Sequence, residues 1–200
     1  MTELWSIENE IYASGVKVLC GVDEAGRGPL AGPVCAAAVI LPQNLEIKGL
    51  NDSKKLSEKQ REELFSVICD KALSYGIAFA EVEEIERLNI LEATFVAMNR
   101  AIKKLSVVPE LALIDGNRTK GIEVSARAIV KGDGKCADIA AASILAKVTR
   151  DRYMLEMAKQ YPQYHFEKHK GYGTKLHYEA LREFGPSPIH RMSFLRKMHG

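Results

Sequence analysis

No apolar stretch of this 200-residue sequence is long enough to cross a bilayer; the longest, residues 34–41, falls well short of the roughly 20 residues a spanning helix needs. The first residues carry Glu3, Glu8 and Glu10, with neither a basic segment nor an apolar run of secretory length, so no leader is expected and a cytoplasmic location follows. Cysteine is scarce: Cys20, Cys35, Cys69 and Cys136 stand far apart with no Cys-x-x-Cys pair. That excludes a zinc ribbon and a disulfide framework and predicts buried free thiols in a reducing compartment. A large charge imbalance is missing too; the net charge of +2 by itself selects neither an acidic nor a strongly basic partner. There is no internal repeat and no low-complexity tract. The nucleotide-binding pattern G-x-x-x-x-G-K-[ST] is also absent, because Gly134-Lys135 lacks both the upstream glycine and the hydroxyl residue.

What is present is a core. The hydrophobic fraction of 46% suits one folded domain spanning residues 1–200. Apolar runs predict strands at 17–22, 34–41, 75–82 and 111–114, with a short or edge strand at 126–130. Helical periodicity covers 57–73, where Ser57 and Gln60 have capping-box spacing, and 82–105, interrupted near Asn89. Further helices are expected at 137–160 and 174–184. The first two strands are close enough to form a hairpin, whereas the helix-linked later strands require crossovers. The expected fold class is α/β, a mixed five-stranded sheet with helices on both faces. From about residue 165 the chain is richer in turns and charge and reads as a small appended helical lobe. Residues 150–200 hold ten Lys/Arg against five Asp/Glu, and all five histidines, which suggests that a polyanion docks on that side.

Four acids sit where chemistry could occur. Asp23 and Glu24 close the apolar run ending at Val22, Asp115 closes the run ending at Ile114, and Asp133 lies in Lys131-Gly132-Asp133-Gly134. Ligands of open α/β sheets bind beyond the carboxyl ends of the strands, where Asp23 and Asp115 emerge. Asp23 and Glu24 alone could equally belong to a solvated turn, and Asp133 alone could be a helix cap or a loop acid. If the four converge, their like charges raise one another's pKa, and divalent cations relieve the repulsion. Oxygen donors without nearby His or Cys select Mg²⁺ or Mn²⁺, and a pair of such ions about 4 Å apart suits hydrolysis of a phosphodiester. One geometric condition attaches. Adjacent strand residues point to opposite faces, so regular pairing is expected to fail near Glu24.

Six ordered motifs span residues 18–194: Asp23-Glu24-Ala25-Gly26-Arg27-Gly28-Pro29, Asn51-Asp52-Ser53-Lys54-Lys55-Leu56, Ile114-Asp115-Gly116-Asn117, Lys131-Gly132-Asp133, the run from Ala141 through Ser143 and Lys147 to Arg150-Asp151, and His169-Lys170-Gly171-Tyr172-Gly173-Thr174. In order and spacing they resemble bacterial ribonuclease HII. The resemblance implies an RNase H-like fold with two divalent ions, Mn²⁺ or Mg²⁺, on Asp23, Glu24, Asp115 and Asp133. Asp138 competes for the fourth place, but the family's acid directly follows Lys-Gly, which leaves Asp138 a structural role. The resemblance also implies that Gly26, Arg27 and Gly28 sense a ribose 2′-hydroxyl at an RNA to DNA junction. Glycines let a sugar-phosphate backbone come close, and Arg can hold a phosphate. Tyr172 is expected to pack on the deoxyribose 3′ to that junction, and Lys54, Ser143 and Lys147 to contact phosphates. Asn117 either orients Asp115 or touches substrate. Gly173 departs from the proline that many relatives carry there, which leaves the rigidity of the Tyr172 loop open.

The implied activity is hydrolysis of the RNA strand of RNA/DNA hybrids and cleavage 5′ to single ribonucleotides in duplex DNA, serving ribonucleotide excision and primer removal, by a monomer. A resolvase or integrase of the same fold class would gather acids on a sheet without needing the Gly-Arg-Gly turn or Tyr172. A non-catalytic nucleic-acid-binding protein would use the basic C-terminal side alone, and its binding would survive loss of the acids.

Overall fold

The computed structural model describes residues 3–196, without the side chain of Glu3. Its elements are α1 (Ser6–Ala13), β1 (Leu19–Ala25), β2 (Val34–Ile40), α2 (Glu58–Lys71), β3 (Ser74–Ala80), α3 (Val82–Leu88), α4 (Ile90–Lys103), β4 (Leu111–Asp115), β5 (Ala126–Ile129), α5 (Ala137–Gln160), α6 (Phe166–His169), α7 (Lys175–Phe184) and α8 (Met192–Leu195). The strands form one sheet in the order β3-β2-β1-β4-β5. β1 pairs antiparallel with β2, and β2 with β3, while β4 and β5 run parallel to β1. The expected hairpin and mixed sheet are therefore formed. The crossover expected between the second and third strands is not: α2 carries the chain back so that β3 lies antiparallel beside β2.

β2 explains how the sheet is covered. All of its residues are buried, and its side chains divide between two cores. Val34, Ala36, Ala38 and Ile40 face α4, with Phe95, Met98 and Ile102. Ala37 and Val39 face α5, with Ile144, Leu145 and Val148. Small residues on both faces let two helices approach closely, and two glycines mark the tightest points. A Cβ at Gly21 would run into the backbone of Asp138 and Ile139 in α5, and one at Gly76 into Ala101 of α4. The first half of α5, from Ala137 to Ala146, is buried all round.

The capping box forms at Ser57, whose hydroxyl accepts from Gln60 N while the Gln60 side chain accepts from Ser57 N. The predicted break at Asn89 is also real. That residue adopts φ 74°, and its side chain accepts from Leu91 N and Glu92 N to start α4. Helix α1 is not foreshadowed by periodicity. Trp5 and Ile11 anchor this end of the chain, and Glu8 reaches the start of α5, accepting from Asp138 N at 3.3 Å. Asp138 Oδ1 in turn accepts from Leu41 N at 2.9 Å. Glu8 Oε2 and Asp138 Oδ2 are buried without hydrogen-bond partners among the described residues. Burial pushes the Glu8 carboxyl up to about 7, and burial together with the Glu8 charge raises Asp138 as well. Beyond α5, a third core gathers Leu30, Ala31 and Met154 with Tyr164, Phe166 and Leu181, so the C-terminal helices pack on the loop after β1. All four cysteines are free thiols; Cys20, Cys35 and Cys136 are buried, whereas Cys69 is only half-buried, against the expectation of full burial. Among the described residues no helix is long and apolar enough to cross a membrane.

Candidate metal centre and nucleic-acid face

β1 and β4 are parallel neighbours whose last paired residues are Val22 and Ile114. The next residues, Asp23 and Asp115, therefore emerge side by side at the carboxyl end of the sheet. The third acid arrives on a 3-10 turn, Gly132–Gly134, entered through Lys131 at φ 57°. Asp115 fixes that turn, its Oδ1 accepting from Gly132 N at 2.6 Å. One carboxylate oxygen from each of Asp23, Asp115 and Asp133 lies within 4.8 Å of the other two.

Glu24 differs from these three. Its pairing is regular, Glu24 opposite Ala36, so the expected failure of β-pairing at this residue does not occur. The alternation of a regular strand then directs Asp23 toward α5, on the side of Ser143, and Glu24 to the other face. There Glu24 lines a cavity of about 300 Å³ with Asp115, Asn117, Arg27 and Phe95. Asp115, at the strand end, is felt by both. Burial raises the Asp23 carboxyl well above the usual range, with Glu24 and Asp115 adding to the effect. Burial also raises Glu24 and Asp115, each against a neighbouring acid. The cation beside Asp133 is Lys54, whose Nζ sits 3.3 Å from Asp133 Oδ2. Burial would lower its pKa, but Asp133 and Asp23 outweigh that and raise it. Crowded, partly buried carboxylates with only oxygen donors suit a hard divalent cation, so this donor set fits the ions implied above.

Other expected site residues have protein partners. Ser143 Oγ is 2.8 Å from Ser53 Oγ, and Lys147 donates to Asp151 Oδ1 at 2.7 Å. Burial lowers the Lys147 pKa, with Asp151 opposing. Asp138 lies apart from the three-acid group, buried against Glu8 and Leu41.

The Gly26-Arg27-Gly28 turn follows directly on β1. Gly26 has φ 99°, and a Cβ there would strike the Arg150 side chain. Arg27 is half-exposed, and its Nη1 donates to Glu24 Oε1 at 3.5 Å. A Cβ at Gly28 would lie 3.7 Å from the Tyr172 ring, which is itself 43% exposed, so turn and ring face the same solvent. Two buried arginines support this face from behind. Arg191 donates to the carbonyls of Gly26 (2.6 Å), Arg27 (3.0 Å), Pro29 (2.9 Å) and Gly32 (2.8 Å). Arg150 donates to those of Ala31, Pro33 and Lys170. Burial, with Arg150 nearby, lowers the Arg191 pKa to about 9. Neither role was visible in the sequence, where Arg150 stood at the end of a motif with no role assigned and Arg191 read only as part of a basic segment.

The histidines correct that reading further. His169, His177 and His190 are buried and packed with Tyr164 and Phe166. Burial lowers all three, His177 and His190 to about 4, so they add no charge toward a polyanion at neutral pH. The Tyr172 loop, whose rigidity Gly173 left open, is tied on both sides of the ring-bearing residue. Tyr172 N donates to His169 O at 2.9 Å, and Tyr172 O accepts from Thr174 N at 2.8 Å.

The family model for ribonuclease HII matches residues 20–197. The chain is 57% identical over 194 residues to ribonuclease HII of Endomicrobium trichonymphae, covering 96% of this chain and 92% of that one. It is 61% identical over 178 residues to ribonuclease HII of a Marinomonas species, covering 88% and 89%. Among solved structures, ribonuclease H2 from Pyrococcus horikoshii OT3 superposes with a TM-score of 0.73 at 28% identity, over 88% of this chain and 93% of that one. A ribonuclease HIII structure described as a complex with Mn²⁺ shares the fold at TM-score 0.70 and 19% identity, over 86% of this chain and 64% of that one.

Proposed function

Because the chain belongs to the ribonuclease HII family, we propose that it hydrolyses the RNA strand of RNA/DNA hybrids and cuts 5′ to single ribonucleotides embedded in duplex DNA, leaving 3′-hydroxyl and 5′-phosphate ends. The observation that carries this reading is the meeting of Asp23, Asp115 and Asp133 oxygens within 4.8 Å, beside a turn in which Arg27 and Gly28 are exposed. In the proposal Asp23, Glu24, Asp115 and Asp133 hold two divalent ions, Mg²⁺ or Mn²⁺. When bound, such ions supply a water activated at neutral pH and a counter-charge for the leaving 3′-oxygen.

The remaining roles belong to the chain itself. Gly28 admits the sugar-phosphate backbone, while Gly26, whose missing Cβ makes room for Arg150, lets the turn form; the 2′-hydroxyl meets exposed peptide groups of that turn. Arg27 holds the adjacent phosphate once it leaves Glu24. Tyr172 packs on the next deoxyribose and disfavours a second 2′-hydroxyl there. Lys54, 76% exposed at its side chain, meets a phosphate directly. Ser143 and Lys147 do so only by giving up Ser53 and Asp151. Asn117 completes the wall beside Asp115. Acids, turn and tyrosine all come from one chain, which supports action as a monomer, with residues 165–200 forming a substrate-binding lobe of a single domain. We place its work in ribonucleotide excision and primer removal in the cytoplasm, where four free thiols stay reduced.

The test is a DNA duplex carrying one ribonucleotide, incubated with the purified protein and Mg²⁺ or Mn²⁺. Cleavage 5′ to the ribonucleotide is expected, and an intact duplex would overturn the reading. Asp115→Asn keeps an oxygen for Gly132 N but loses the charge. It should lower kcat about a thousandfold and still bind the duplex; unchanged turnover would remove Asp115 from the site.

A further inference from the structure

A hydrogen-bonded chain runs through the C-terminal helices from Ser187 to Tyr172, and its geometry permits only one arrangement of protons. Ser187 N–H donates to His190 Nδ1 at 2.8 Å, with Ser187 Oγ also 2.8 Å from that nitrogen. A backbone N–H can only donate, so His190 Nδ1 is an acceptor and the ring carries its proton on Nε2. His190 Nε2 faces His177 Nε2 at 2.9 Å, which makes the latter an acceptor in turn. His177 therefore carries its proton on Nδ1, and donates it to Tyr172 O at 3.0 Å. The neighbouring His169 is fixed by the same logic. Gly171 N–H donates to its Nδ1 at 3.2 Å, leaving Nε2–H to bond Tyr164 O at 2.9 Å.

We propose that His177 and His190 are positioning residues, which hold Tyr172 at the height of the Gly26-Arg27-Gly28 turn through a proton-ordered relay with His177 protonated on Nδ1 and His190 on Nε2. The role assigned to Tyr172 is the one given under the proposed function, and the relay's effect on cleavage rests on that reading. Three features favour it. Tyr172 lies between Gly171, at φ 86°, and Gly173, so its backbone needs outside restraint. Its N–H is held by His169 O, and its carbonyl, which accepts from the adjacent Thr174 N, takes from His177 its one side-chain hydrogen bond among the described residues. The relay is also dry. His177 is 0% and His190 2% exposed, and His177 stacks on His169 with centroids 4.4 Å apart and planes at 17°. A second proton on either ring would set two N–H groups against each other across the 2.9 Å contact, which agrees with the burial that keeps both rings neutral.

The first test reads protons and needs no activity. Nitrogen-resolved NMR of the ¹⁵N-histidine-labelled full chain with Mg²⁺ at neutral pH should show a neutral His177 protonated on Nδ1 and a neutral His190 protonated on Nε2, assigned from His177→Asn and His190→Asn. A cationic His177, or one protonated on Nε2, overturns the proposal. The second test compares a single embedded ribonucleotide with a long RNA/DNA hybrid. His177→Ala should lower the preference for the single ribonucleotide about tenfold, with no further loss when combined with Tyr172→Ala. His177→Asn, whose amide N–H can replace Nδ1–H, should recover most of it. Equal losses on both substrates, or losses that multiply with Tyr172→Ala, would make His177 a packing residue only. Should the unaltered protein cut neither substrate, the proposed function fails and the NMR result alone decides the relay.

Discussion

Lys54 Nζ sits 3.3 Å from Asp133 Oδ2, so a lysine answers part of the charge of the acid group. The pair is mostly exposed on the lysine side, and such pairs contribute about 0–1 kcal/mol. Lys54 and a divalent cation therefore compete mildly for Asp133. Lys54→Ala should bind Mn²⁺ up to about fivefold more tightly by titration calorimetry while binding the duplex more weakly. Weaker Mn²⁺ binding would show that Lys54 supports the metal instead.

Arg191 holds four carbonyls in a fixed fan that no ammonium can reproduce. Arg191→Lys should lower stability by roughly 2–4 kcal/mol in urea melts, because buried carbonyls lose donors. Cleavage at a single ribonucleotide should fall with it. A variant with native stability and native cleavage would remove Arg191 from the frame of the turn.

Glu8 provides a pH-dependent prediction. Its carboxyl moves from an ordinary 4.5 to about 7 on folding, so the folded state holds a proton that the unfolded state has lost. The contribution of Glu8 is present in full below about pH 4.5 and is lost as pH rises through 7. Glu8→Gln cannot lose a proton. Its melting temperature, relative to the unaltered protein without metal, should climb between pH 4.5 and 7 and level off above. A constant offset across that range would mean that Glu8 does not titrate.

The sheet and the main helices were legible because their signals are local. The apolar run of β2, the cap at Ser57 and the break at Asn89 each follow from a few neighbouring residues. Asp23 and Asp115 could be placed together because both end strands at the carboxyl edge. What escaped depends on contacts across the chain. α1 is short, and only Asp138, 130 residues away, explains its buried Glu8. The lowered pKa values of His177 and His190 come from a core that composition cannot show, and neither the motif that holds Arg150 nor the basic segment around Arg191 reveals that both side chains are buried against backbone carbonyls. Glu24 shows the reverse case. Strand alternation applied to it fully, and the bulge invoked to bring it beside Asp23 was not needed for Asp115 to lie near both.

Helix α5 carries Ser143, Lys147, Arg150 and Met154 at offsets of four, seven and eleven residues, which fall on one stripe. Ser143 lies against Asp23, and Arg150 lies beneath Gly26, seven residues or roughly 10 Å further along the axis. A single helix thus spans from the three-acid group to the Gly26-Arg27-Gly28 turn. In the proposed reading, the separation between the 2′-hydroxyl contact and the scissile phosphate is therefore gauged by helix pitch, with Arg191 fixing the turn at the far end of the gauge.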